Sequence, residues 1–216
     1  MDFEQARFNM IEQQIRPAGV LDPVTLETLA LAHRERFAPP ALAALAHADT
    51  GLPIGQGQCM LAPRIEAAML QALGACRGAR VLEIGTGSGC MAAMLATHAA
   101  TVVSLEIEPA LAEVARANLA AAGVGNVEVV VADGTAGWAA GAPYDVIIAS
   151  GAVAAIPAAW REQLRPGGRL LAVVGSGAVQ QARLLRREAD GWQEQVVFET
   201  CVPPLHLGGP GARFSL

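Results

Sequence analysis

From Arg80 onward the chain alternates between strand-like and helix-like stretches, and that alternation constrains the fold more than any other feature. RVLEIG is strand-like and CMAAMLATHA helical. TVVSLEIE is strand-like, and PALAEVARANLAAAG is helical and ends at a glycine. NVEVVVADG and YDVIIASGA read as strands, and a short helix follows over about 157–164. Pro166-Gly167-Gly168 then turns the chain into the strand RLLAVVG. Strands that alternate with helices pair in parallel through right-handed crossovers, with helices on both faces of one sheet. ARLLRREADGWQEQVVFETCV differs: it reads as two strands around Asp190-Gly191, a hairpin signal. The expected fold is α/β: a mostly parallel, doubly wound sheet with an antiparallel C-terminal edge.

The residues before Arg80 predict helices. Phe3, Ala6, Phe8, Met10, Ile11 and Ile15 are spaced among Glu and Gln as on an amphipathic helix, which Arg16-Pro17-Ala18-Gly19 ends. Asp22 suits an N-cap, with Pro23 opening a helix to about Ala32. Pro39-Pro40 breaks the chain, and a short Ala/Leu-rich helix follows. Residues 48–58, ADTGLPIGQGQ, read as a long loop, and long loops in compact domains are often functional. Pro63 starts a helix to about Leu73. The chain divides on this reading into one domain, 1–216: a helical segment and substrate-side loop at 1–75, a cofactor-binding core at 76–176, and a hairpin and tail at 177–216.

Composition narrows the function. Hydrophobic residues make up 53% and charged residues 16%, enough for a sizeable core. A net charge of −5 with scattered arginines argues against nucleic acid as a partner. No apolar run reaches the ~18 residues of a spanning helix, and the N-terminus lacks a signal-peptide core, so a cytoplasmic protein off the membrane is expected. The cysteines at 59, 76, 90 and 201 form no C-x-x-C, so neither a disulfide framework nor a metal site is expected.

The stretch VLEIGTGSG at 81–89 concentrates the chemistry. In open α/β sheets, ligands bind outside the carboxyl ends of the strands, where strand order reverses. Gly85, Gly87 and Gly89, with Thr86 and Ser88 between them, leave the backbone bare at the first such turn. The nicotinamide fingerprint G-x-G-x-x-G would need a glycine at 90, where this chain has Cys90. With Glu83 the pattern is E-x-G-x-G-x-G, which resembles motif I of class I S-adenosylmethionine-dependent methyltransferases. Glu106, followed by Ile107, ends the next strand and suits the ribose hydroxyls, with Glu108 as a rival. Asp133-Gly134 ends the third strand; the Asp suits the adenine amino group, and the Gly leaves room for the ring. Each acid has an alternative role as a helix cap or turn residue.

Across about 20–205 the chain resembles the protein-L-isoaspartate O-methyltransferases. The resemblance rests on ALAHRERFAPP, LPIGQGQ at 52–58, VLEIGTGSG, ADGTAGW at 132–138, APYDVIIASGA at 142–152 and QLRPGGRLLAVVG at 163–175. It implies a Rossmann-like class I methyltransferase fold. It implies S-adenosyl-L-methionine as cofactor, S-adenosyl-L-homocysteine as product, and peptides or proteins with isoaspartyl residues as partners. It implies a wall of Asp49, Thr50, Pro53, Ile54, Gly55 and Gln58 over the cofactor, with Pro53, Ile54, Gly55, Gln58 and Cys59 meeting the substrate. The family continues its Gln with Thr-Ile-Ser-x-Pro, whereas this chain reads Gln58-Cys59-Met60-Leu61-Ala62-Pro63. The family serine, implied to lie beside the transferred methyl, is thus Leu61, which offers no hydrogen bond. Ser150 is a candidate hydroxyl from the other side of the pocket, and Asp49 is a further candidate at the reacting centre.

A carboxylate acceptor is already ionised at pH 7, so the reaction needs alignment rather than a strong base. His33, His47, His98 and His206 are dispersed, and each reads as a surface or structural residue. Cys59 reads as a packing cysteine, with His47 as the only base near it in sequence were it a nucleophile. Two other readings stay open: a methyltransferase of the same fold with a small-molecule acceptor, suggested by the apolar Leu61, and a cofactor-binding module without catalysis.

Overall fold

The computed structural model describes residues 1–207; the end of the expected tail, 208–216, lies outside the described residues. Asp2 caps α1 (Phe3–Met10) by accepting from the Gln5 N–H at 3.0 Å. The helix continues into a wider π turn over Ile11–Ile15, closed by Arg16 N–H to Ile11 O at 3.0 Å. Met10, Ile11 and Ile15 are buried. Asp22 caps α2 (Pro23–Leu31) through the Thr25 N–H at 2.8 Å. The Ala/Leu-rich segment makes 3₁₀ turns over Pro40–Leu45 rather than an α-helix. None of its residues is buried, so no packed apolar face holds a longer helix.

The stretch read as a loop at 48–58 is instead mostly a β-hairpin, β1 (Leu52–Gly55) and β2 (Gln58–Met60). Leu52 faces Met60, and Pro53 faces Cys59. Gln56 and Gly57 turn the chain, both at positive φ (+52° and +71°), as the right-handed strand twist of a tight hairpin demands. The strands are too short to show a period-two pattern, which is why the sequence reads as loop. The helix α3 (Pro63–Leu73) follows.

The main sheet has seven strands in the order β5-β4-β3-β6-β7-β8-β9. They are β3 (Arg80–Ile84), β4 (Thr101–Glu106), β5 (Val127–Val131), β6 (Tyr144–Val153), β7 (Leu164–Val174), β8 (Gln180–Glu188) and β9 (Gly191–Thr200). The strands from β5 to β7 are parallel, and β7, β8 and β9 are antiparallel. β7 starts before the expected turn: Pro166-Gly167-Gly168 is an irregularity within it, where the pairing jumps from Tyr144–Leu164 to Val146–Arg169. The crossover helices are α4 (Cys90–Ala96), α5 (Pro109–Ala121) and α6 (Ala158–Glu162).

Alternation along the strands feeds two cores. Val81, Val146 and Ile148 pack with α3, α4 and α5 residues such as Met69, Met91 and Leu119. Leu82 and Ile147 point to the other face, with Trp160 of α6. The chain passes from β3 to β4 on one side, and β6 lies on the other side of β3. Strand order therefore reverses between β3 and β6, and the crevice outside their carboxyl ends is where a ligand belongs. Among the described residues, no helix is long and apolar enough to cross a membrane.

Candidate functional site

A cleft open to solvent lies at that reversal. The glycine loop forms one wall. Gly85, Gly87 and Gly89 have φ of +92°, +54° and +87°, a region that side chains rarely adopt. The loop is tied to β4, because the Gly85 and Thr86 N–H groups both donate to Leu105 O, at 2.9 and 3.1 Å. Glu106, at the end of β4, accepts from the Gly87 N–H at 2.8 Å and the Glu108 N–H at 3.0 Å. Its carboxylate therefore braces the loop as well as facing the cleft. A carboxylate has about four lone-pair sites, so roughly two remain for a ligand.

Glu83 sits at the floor with no exposed surface. Its register places it opposite Ser104 of β4. Ser104 Oγ donates to Glu83 Oε2 at 2.6 Å, and Ser150 Oγ donates to Glu83 Oε1 at 2.7 Å. Thr86 Oγ1 lies 2.6 Å from Ser104 Oγ. Since the one Ser104 proton goes to Glu83, Thr86 is the donor to Ser104. Burial pushes the Glu83 carboxyl up to about 7, against the two hydroxyls, which favour its ionised form. Ser150 has one proton, and Glu83 takes it. While Glu83 is ionised, Ser150 offers the cleft lone pairs rather than a donor.

The raised Glu83 value has a stability consequence. Below the ordinary carboxyl value of 4.5, folded and unfolded states are both protonated and no cost arises. Between 4.5 and about 7 the unfolded chain ionises first, so stability falls as pH rises through that window. Glu83→Gln removes the linkage. The stability of the variant relative to the native chain should rise from pH 4 to pH 8, by up to ~3 kcal/mol. Urea unfolding of both proteins at the two pH values checks it; a pH-independent difference would contradict it.

The hairpin forms the opposite wall through Ile54, Gln58, Cys59, Met60 and Leu61. Leu61 is buried, so its side chain makes that wall apolar. Its backbone is held by Arg34, a residue that the sequence did not single out. The Arg34 side chain has no exposed surface, donates to Leu61 O and Ala46 O at 2.9 Å each, and pairs with the Glu66 carboxylate. Cys90 Sγ lies 3.8 Å from it.

Ile107, Ser88 and Gly134 also line the cleft. A Cβ on Gly134 would run into Ile84 Cγ2, so the floor is bare there by necessity. Other expected residues lie off the lining. Gly89 packs on α5, where an added Cβ would sit 3.3 Å from Leu119 Cγ. Asp133 caps the short turn after β5, accepting from the Thr135 N–H and Oγ1 at 2.9 and 2.7 Å, between the lining residues Ala132 and Gly134. Pro53 and Gly55 are exposed on the hairpin. Asp49 pairs with Arg64 at 2.9 Å on the surface, away from the cleft lining. Burial pushes the Cys59 thiol up, the opposite of an activated nucleophile. His47 faces Glu35 at 3.5 Å instead, and no hydrogen bond joins it to Cys59 among the described residues.

The sequence also gave no sign of the segment at 203–207. Ala152 N–H donates to Pro203 O at 2.9 Å, and Leu205 N–H donates to Ala152 O at 2.8 Å. This lays Leu205, His206 and Leu207 along the cleft. Leu205 packs so tightly on β6 that a Cβ on Gly151 would stand 2.9 Å from its Cδ2. Among the described residues, no group of three His, Cys, Asp or Glu could hold a metal ion.

Comparison with known proteins agrees with this geometry. The family model for protein-L-isoaspartate(D-aspartate) O-methyltransferase matches residues 5–203. A Methylorubrum populi protein-L-isoaspartate O-methyltransferase is 43% identical over 210 residues, 97% of this chain and 98% of that protein. One from Methanoregula boonei is 45% identical over 199 residues, 92% of each. Among solved structures, a Plasmodium falciparum protein-L-isoaspartate O-methyltransferase in complex with S-adenosyl-L-homocysteine has the same fold. It superposes with a TM-score of 0.80 at 16% identity, covering 96% of this chain and 100% of that one. The cleft at the strand reversal, the bare glycine loop and the full-length match agree, and the chain belongs to the protein-L-isoaspartate(D-aspartate) O-methyltransferase family.

Proposed function

We propose that the chain is an S-adenosyl-L-methionine-dependent carboxyl methyltransferase that acts on L-isoaspartyl residues of damaged proteins and leaves S-adenosyl-L-homocysteine. The observation that carries this is one cleft in which the glycine loop, the Glu106 carboxylate and the hairpin at 52–60 meet. It occurs in a chain whose curated relatives with that activity align over nearly its whole length.

The residues present fit the cofactor. Glu106 has lone pairs left for ribose hydroxyls, the turn at 132–134 suits the adenine, and the bare backbone at 85–88 suits the methionine end. When bound, the cofactor supplies a methyl group on a sulfonium centre. Ile54, Leu61 and Leu205 exclude water from the acceptor side. Glu83 holds Ser150 in place. A carboxylate acceptor arrives ionised, so orientation supplies most of the rate, by up to ~7–11 kcal/mol. The methyl ester is neutral and carries a better leaving group, methanol, than the ionised acid does. The neighbouring backbone nitrogen displaces methanol and closes a succinimide, and hydrolysis of that ring regenerates some normal aspartyl linkage. The protein works in the cytoplasm on peptide or protein substrates, with neither nucleic acid nor membrane as partner.

The buried Leu61 side chain favours one second reading, the same chemistry on a different, more apolar acceptor. Leu61→Ser separates the two. On the repair reading, a hydroxyl at 61 should raise the initial rate on an isoaspartyl peptide about tenfold or more, since single donors at reacting centres are worth 10²–10³. While Glu83 is ionised, Ser150 gives its proton to that carboxylate and does not supply the donor. On the second reading the variant gains nothing on that peptide, because the new hydroxyl lies unpaired in an apolar wall. Initial rates on matched isoaspartyl and aspartyl peptides decide; no native turnover and no gain on substitution would count against repair.

A further inference from the structure

The cleft lining is acidic. Glu66, Glu83, Glu106 and Glu108 all contribute to it. Arg34 neutralises Glu66 from behind. Among the described lining residues, one side chain can become a cation, and it is His206. An anionic acceptor therefore enters a cleft with a repulsive field and one group able to answer it. Leu61 and Ile54 offer no hydrogen bond, and the Ser150 proton is committed to Glu83.

His206 is placed for that task. It is exposed, at the mouth of the cleft. It follows Leu205, whose backbone is fixed on Ala152. Its Nε2 lies 3.1 Å from Gln58 Nε2 on the hairpin. An amide nitrogen offers no lone pair, so in this arrangement the imidazole Nε2 accepts and the N–H is on Nδ1. The ring thus bridges the two walls and keeps an N–H for a ligand.

We propose that His206, oriented by Gln58, recognises the carboxylate of the methyl acceptor and so determines specificity for an anionic side chain. The proposal rests on the methyl-transfer reading above. The imidazole N–H donates to one carboxylate oxygen and leaves the other directed into the cleft. The bond is charge-assisted on the acceptor side.

The test measures kcat and KM on an isoaspartyl peptide for the native protein, His206→Ala and His206→Arg, with S-adenosyl-L-homocysteine affinity by calorimetry alongside. His206 is exposed, so both variants should fold. His206→Ala should raise KM about ten- to a hundredfold, the worth of one hydrogen bond to a charged group. It should leave kcat and S-adenosyl-L-homocysteine affinity little changed, and His206→Arg should recover most of the loss. An unchanged KM in His206→Ala would overturn the proposal. So would a parallel loss of ligand affinity, which marks a merely structural strap, or an Arg variant no better than Ala. Absence of native turnover would instead overturn the methyl-transfer reading itself, and this assignment with it.

Discussion

Arg34→Met should cost about 3–5 kcal/mol of unfolding free energy, the usual result of removing one partner from a buried ion pair. Arg34 joins three separate parts of the chain: Ala46 before the hairpin, Leu61 after it, and Glu66 on α3. Its loss leaves the Glu66 carboxylate buried without a cation and two carbonyls without donors. The control is Arg34→Met with Glu66→Leu. That double variant removes the stranded charge and should recover part of the loss, while the carbonyls remain unpaired. Urea denaturation of the native, single and double variants gives the comparison. A single variant as stable as the native chain, or a double variant less stable than the single, would contradict this account of the hairpin's anchor.

Gly87→Val should abolish cofactor binding in a protein that still folds. Gly87 has a φ of +54°, which costs a non-glycine residue about 1–2 kcal/mol and a β-branched one more. An added Cβ would lie 3.1 Å from Ile54 Cδ1, across the cleft. Valine would therefore strain the loop, push the hairpin outward and fill the space between them. Occlusion takes the affinity below detection, and relaxation of the strained loop in the free protein adds up to roughly a tenfold loss. Gly87→Ala adds the strain with less bulk and should fall between. Calorimetric titration with S-adenosyl-L-homocysteine measures all three. A folded Gly87→Val protein with native affinity would reduce the loop to a simple turn.

Much of the frame was legible because it is local. Apolar runs ending in glycine or an acid mark β3, β4 and β5, and Glu83 and Glu106 could be placed at strand ends from spacing alone. The hidden features depend on contacts between distant segments. The Glu83 network needs the β3–β4 register that sets Ser104 opposite it. Arg34 reads as one charge in RER until the fold brings Leu61 and Glu66 to it. The hairpin hides in strands of four and three residues. Leu205 and His206 belong to a stretch with no periodicity, and one pair of backbone bonds to Ala152 carries them to the cleft. Asp49 shows the converse: its place in the sequence suggested the reacting centre, but Arg64 draws it to the surface.

Methyl transfer to an isoaspartyl carboxyl is the central claim, and the linkage of the transferred methyl tests it most directly. The native protein is incubated with methyl-labelled S-adenosyl-L-methionine and either an isoaspartyl peptide or its normal aspartyl counterpart. Mild alkali then hydrolyses carboxyl methyl esters and releases labelled methanol. The account predicts alkali-labile label on the isoaspartyl peptide and none above background on the aspartyl one. Label that resists alkali, equal label on both peptides, or none on either would contradict it.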